Sequence, residues 1–254
     1  MPASTFKLEA AEGASILVHR WLPDTPPKAV VQIAHGLAEH GARYGRVAEA
    51  MCSAGYAVYA DDHRGHGLTA KTPADLGFLA GRDGWSACLS DLKRLREKIE
   101  AEHAGLPLVL MGHSLGSFMV QQLIGEQGDE LAGAVLSGTS GKPPAIAAIG
   151  ALLARFERMR VGARGHSAIL NAMLFGAFNK PFAPARTAYD WLSRDPVEVR
   201  QIHRRSALRL PIDGSALYRP SGRSQRGQQS LLPGWHPEDL TPLYFQRQPR
   251  SRRL

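Results

Sequence analysis

The sequence predicts an α/β fold, a mainly parallel sheet with helices on both faces and a helical cap inserted late in the chain. Three observations carry that expectation. Short, nearly continuous apolar runs at 29–34, 56–60, 106–111 and 132–136 read as buried strands. Segments of helical spacing at 44–54, 85–102 and 116–124 lie between them. Strands alternating with helices need crossover connections, and those give parallel neighbours covered on two faces.

Each element has a local reason. Residues 15–21 alternate polar and apolar side chains, as an early antiparallel strand does, and Pro23, Pro26 and Pro27 end it. The run 29–34 stops at His35-Gly36. In 44–54, Val47, Ala50 and Met51 share one face at helical spacing, with Gly55 closing the helix. Cys88, Leu92, Leu95 and Ile99 form one stripe of 85–102. Beyond residue 140 the rhythm changes. Ile146, Ile149, Leu153, Phe156 and Met159 make one helical stripe, and 168–178 is a second apolar segment, so 140–200 is expected to cap a pocket above a 1–139 core.

Composition excludes several classes. Hydrophobic residues make up 44% of the 254 and charged residues 21%, against a disordered or collagen-like chain, and two cysteines are too few for a disulfide scaffold. The longest apolar stretch, 144–154, ends at Arg155, short of the roughly 20 residues a spanning helix needs. Residues 1–20 carry Lys7, Glu9 and Glu12 and no apolar export core, so cytoplasmic residence is expected.

The formal charge of +8 raises the question of a polyanionic partner. Residues 1–200 are nearly neutral. Residues 201–254 hold ten arginines against Asp213, Glu238 and Asp239, a surplus of seven. Nucleic acid is therefore not expected at the body. The arginine-rich segment reads as a disordered tail or, alternatively, as a basic arm for anionic lipid or nucleic acid.

Chemistry concentrates at Gly112-His113-Ser114-Leu115-Gly116, a G-x-S-x-G pattern between a predicted strand and a predicted helix. A sharp turn there exposes Ser114 as a nucleophile, and the amide of Leu115 at the helix start faces the developing oxyanion. His35-Gly36-Leu37 follows an earlier strand. Leu37 is expected to supply the second oxyanion amide, and the His35 side chain to bond nearby backbone. His35, His40, His63 and His66 with Asp61 and Asp62 raise a metal reading, but no H-E-x-x-H pair is present and no metal is expected. Neither a Rossmann fingerprint nor a P-loop occurs, so no cofactor is expected.

Three segments, His35-Gly-Leu-Ala-Glu-His-Gly-Ala-Arg-Tyr44, Asp62-His-Arg-Gly-His-Gly67 and Gly112-His-Ser-Leu-Gly-Ser117, resemble the monoacylglycerol lipase and lysophospholipase branch of the α/β-hydrolases, with its S33 serine aminopeptidases. The stretches 178–182 and 190–195 resemble that branch's cap and its exit. The resemblance covers about residues 5–200. It implies an α/β-hydrolase fold, a small-molecule ester or lipid substrate, an acyl-enzyme at Ser114 and an apolar acyl channel under the cap. Peripheral membrane contact through the cap is compatible with it, and oligomeric state stays open.

The base and acid of a triad should follow the serine in the order acid, then histidine. After residue 200 only His203 and His236 are available, and Asp239 follows His236 rather than preceding it. Read one base out of frame with permitted codons, 203–210 and 243–253 each spell a segment similar to the family's. A frameshift near residue 200 is therefore the expected origin of the tail, leaving a fold without its last strands. The alternative to a working esterase is an inactive remnant that keeps the pocket.

Overall fold

The computed structural model describes residues 4–205 apart from 142–145, 163, 166 and 188. Six strands form one sheet: β1 (Ser4–Glu9), β2 (Ser15–Trp21), β3 (Ala29–Ala34), β4 (Tyr56–Asp61), β5 (Leu108–His113) and β6 (Gly133–Ser137), in the spatial order β1-β2-β4-β3-β5-β6. The pairs β1/β2 and β2/β4 are antiparallel, whereas β4/β3, β3/β5 and β5/β6 are parallel. Helices α1 (Gly45–Ser53), α2 (Gly84–Glu102) and α3 (Leu115–Gln127) make the crossovers.

The β3 strand lies at the centre, and every one of its residues is buried. Its alternate side chains enter opposite cores. Val31 and Ile33 pack with Val58, Ala48 and Cys52 under α1. On the other face Ala34 and Leu110 meet Cys88 and Leu92 of α2 and Leu115 and Met119 of α3. The expected stripe of α2 is fully buried. Register aligns Ala34 of β3 with Gly112 of β5, so the loops after these two strands leave the sheet side by side.

Helices α4 (Ile146–Val161), α5 (Ala168–Phe175) and α6 (Pro196–Arg205) follow the sheet. Glu157 of α4 is buried, bonded to Arg160 and, at 2.5 Å, to the Ser167 hydroxyl that caps α5. Arg158 donates to the Gly81 carbonyl at 2.7 Å, and the Arg164 guanidinium lies 3.9 Å from the Phe78 ring centroid, tying this region to the core. Asn179 accepts from the Trp191 amide and donates to the Thr187 carbonyl, joining the two segments read as cap and exit.

The structure adds to the sequence pattern at several elements. The buried face of α1 is Ala48 and Cys52, with Met51 half-buried, while Val47 and Ala50 face outward. Among the described side chains of α4, Ala154 and Glu157 are buried, and Phe156 and Met159 are 56% and 79% exposed. The sequence reading had no strand at 4–9 and no helix at 196–205. It also carried the second apolar segment to residue 178, three residues past the end of α5.

Among the described residues β6 is the sheet's edge, and its Val135 is 41% exposed. No described helix is long and apolar enough to cross a membrane. The arginine-rich segment beyond residue 205, with His236, Asp239, the rest of the out-of-frame stretch 203–210 and all of 243–253, lies outside the described residues, while 203–205 form the end of α6.

Candidate active site

Ser114 sits between the end of β5 and the start of α3 with φ 48° and ψ −112°. A non-glycine residue at positive φ is uncommon and strained, and here the surroundings enforce it. Its amide donates to the Ser137 carbonyl at 2.9 Å, and its carbonyl accepts from the Ser117 hydroxyl at 2.6 Å. The flanking glycines are steric necessities. A methyl on Gly112 would lie 2.5 Å from the Gly116 carbonyl oxygen, and one on Gly116 would strike the carbonyls of Ala34 and His35. That closeness lets α3 start directly over the end of β3. It is the physical content of the G-x-S-x-G spacing.

The loop after β3 comes to the same place. A methyl built on Gly36 would lie 3.3 Å from both Ser114 Cβ and His113 Cδ2. The structure therefore brings the segments of Ser114, Leu115 and Leu37 together, with Leu37 and Leu115 packed in one apolar cluster. Glu39, which sequence reasoning passed over, shapes this loop. Its Oε1 accepts from the Gly36 amide at 2.5 Å and the Tyr44 hydroxyl at 2.8 Å, while Arg43 holds Oε2 at 2.9 Å. Burial, then the neighbouring Glu39 charge, pushes the Tyr44 phenol up, so it stays a donor. The three-residue spacing from Gly36 to Glu39 is the local signal that would have revealed it.

Behind the loop the motif 62–67 works as an anchor. Asp62 Oδ1 accepts from the Gly41 amide at 2.8 Å and lies 3.1 Å from His19 Nε2, and Oδ2 accepts from the Leu68 amide at 2.7 Å. Burial alone would raise its carboxyl, but these hydrogen bonds hold it below the ordinary carboxylate range. Arg64 makes a bidentate pair with Asp91 at 2.6 and 3.0 Å and also donates to the Ala11 carbonyl, so carbonyl satisfaction is only part of its role.

Three of the histidines weighed as metal ligands do meet. The rings of His35 and His63 stack with centroids 3.9 Å apart, and His66 stands edge-on to His35 at 5.2 Å. Hydrogen bonds occupy five of their six ring nitrogens. Among the described residues no group of three histidine, cysteine, aspartate or glutamate side chains is placed to hold a metal ion. Burial, then the charges of His63 and His66, lowers His35, and burial brings His66 down to about 4.

Among the described residues no histidine or carboxylate hydrogen-bonds to the Ser114 hydroxyl. The backbone of His203 lies in α6, its side chain is outside the description, and His236 and Asp239 are outside altogether. An open cleft of about 570 Å³ between Phe78, Gly81, Val161, Gly162, Arg164 and Gly165 is lined by none of the Ser114 loop residues.

Comparison with known proteins agrees with this geometry. The sequence is 35% identical over 148 residues to a monoacylglycerol lipase of Mycolicibacterium smegmatis, covering 56% of this chain and 51% of that one. Identity to the monoglyceride lipase of Homo sapiens is 29% over 126 residues, covering 50% and 40%. The chain thus spans about half the length of these relatives or less. A thermostable carboxyl esterase from Bacillus coagulans, solved in complex with glycerol, superposes with a TM-score of 0.72 at 26% identity over 80% of this chain and 66% of that one. Residues 25–213 match the family described as serine aminopeptidase, S33. With that match over well more than half its length, on this sheet order and this turn at Ser114, the chain belongs to the S33 serine aminopeptidase family, in the monoacylglycerol-lipase-like branch of the α/β-hydrolases.

Proposed function

We propose that the protein is a serine ester hydrolase of the monoacylglycerol lipase and lysophospholipase type, with Ser114 as nucleophile. The observation that carries this reading is the forced positive-φ turn at Ser114 with the Gly36 loop packed against it. In the reaction the Ser114 oxygen forms a bond to the ester carbonyl carbon as the carbonyl π pair moves onto oxygen. The amides of Leu37 and Leu115 stabilise that oxyanion. Collapse breaks the bond to the alcohol, which leaves with the serine's proton, and water then hydrolyses the acyl-enzyme. Removing one such amide donor typically costs about 10²–10³ in kcat.

The matched lipases support a monoacylglycerol-like ester substrate of small-molecule size, and a lysophospholipid ester rests on the sequence resemblance alone. The exposed Leu152, Phe156 and Met159 on α4 support peripheral membrane contact. Cytoplasmic residence belongs to the same reading and rests on sequence alone, as does the division into core 1–139, cap 140–200 and tail 201–254. A second reading, a catalytically inactive chain that retains the pocket, is favoured by one observation, the lack of a described base at Ser114.

Turnover of p-nitrophenyl and monoacylglycerol esters by the full chain and by Ser114→Ala separates the two. Hydrolysis abolished by Ser114→Ala supports the esterase. Equal background rates from both folded proteins support the inactive chain.

A further inference from the structure

We propose that His63 is a positioning residue, a doubly protonated imidazolium clamped between the Asp61 carboxylate and the His35 carbonyl, that holds the loop carrying the Leu37 amide. The proposal rests on the reading of Leu37 as an oxyanion donor. His63 Nδ1 lies 2.6 Å from Asp61 Oδ2, and Nε2 lies 3.1 Å from the His35 carbonyl oxygen. With Asp61 as a carboxylate both partners are acceptors, so each ring nitrogen donates, and only the imidazolium carries two N–H groups. A neutral ring would set a lone pair against one of these oxygens in a site where both His63 and Asp61 are buried.

The grip on residue 35 is double. The His63 amide donates to His35 Nε2 at 3.0 Å, which makes that nitrogen an acceptor and leaves His35 Nδ1 to donate to the Gly36 carbonyl at 2.7 Å. His35 is thereby fixed neutral, and its own carbonyl takes the His63 proton. From this peptide the chain runs directly into Gly36 and Leu37. One histidine thus sets the start of the loop, and Asp62 sets its far side through Gly41.

The surroundings favour this charge. Asp61 and Asp62 of the same turn face His63, the His35 ring stacked on it and the His66 ring edge-on to it stay neutral, and Asp91 of α2 approaches while paired with Arg64. Burial by itself would lower His63, but the charge and hydrogen bond of Asp61 outweigh it and raise the group above the ordinary histidine range.

The test is ¹H–¹⁵N NMR of the uniformly labelled full chain across a pH titration, with His63 assigned through ring-to-backbone couplings and checked by its loss in His63→Asn. Two ring N–H correlations from His63 at neutral pH are expected, and a Leu37 amide shift that moves with the same midpoint as the ring's deprotonation. In His63→Asn, hydrogen exchange across 35–40 should quicken about tenfold or more, as loss of one charge-assisted bond implies, with β5 unchanged. A single ring N–H, or a Leu37 amide indifferent to the ring's deprotonation, overturns the proposal. Should His63→Asn fail to fold, the wild-type titration decides alone. No readout uses ester turnover, so loss of the esterase reading and loss of this one are told apart.

Discussion

Buried titratable side chains give the loop behind Ser114 a pH dependence with opposite signs on its two sides. His63, raised in the fold, contributes stability that is fully present below the unfolded histidine value of about 6.5 and is lost as pH rises through its folded value. His66, brought down to about 4, and His35, also lowered, act in reverse. They contribute above about 6.5, and for His66 that contribution is lost as pH falls toward 4, because the unfolded chain then binds the extra protons. Urea midpoints measured between pH 4 and 9 should pass through a maximum near neutrality, and His66→Gln should flatten the acid side. At the same scale, Arg64→Leu leaves the buried Asp91 carboxylate unpaired and should cost about 3–5 kcal/mol in urea unfolding, with the Arg64→Leu/Asp91→Leu pair costing less.

At the scale of elements, the turn at Ser114 is the most legible part of the chain. A strand, two glycines around a serine and an apolar helix leave little freedom, and the structure places all three as the spacing demands. Gly116→Ala should destabilise by about 1–3 kcal/mol or more, because its methyl meets fixed backbone rather than a side chain that can swing away. Gly125→Ala, on the same helix with open space around it, should instead stabilise by about 0.4–1 kcal/mol. Thermal or urea unfolding of the two variants checks the contrast. The less legible elements failed for identifiable reasons. The six residues of β1 are mostly exposed and pair only with β2, so no apolar run marks them. For α1, Val47 outranked Ala48 in hydrophobicity, yet closeness to the sheet selects the small Ala48 and Cys52. In α6 the signal was capping. Asp195 accepts from the Val197 amide at 2.8 Å, and Pro196 opens the helix, a pair that announces a helix start even where apolar residues are few.

For the whole molecule, the mainly parallel sheet was legible in the sequence, and the adjacent carboxyl ends of β3 and β5 are what two glycine-bearing turns serving one site require. The triad's remaining members were not legible. After residue 200 no histidine follows an apolar strand, and periodicity has nothing to act on there. The edge at β6, open among the described residues, gives this scale its own prediction. Val135→Ala should change stability by no more than about 0.5 kcal/mol, against about 2–5 kcal/mol for Leu110→Ala in the core, and a large loss at Val135 would show that a further segment covers the edge. The central claim is that Ser114 is a nucleophile. Fluorophosphonate treatment of the full chain, followed by intact mass and peptide mapping, tests it most directly. A single adduct on Ser114, absent in Ser114→Ala and suppressed by monoacylglycerol, is the predicted result, and a folded chain that takes up no adduct there would contradict it.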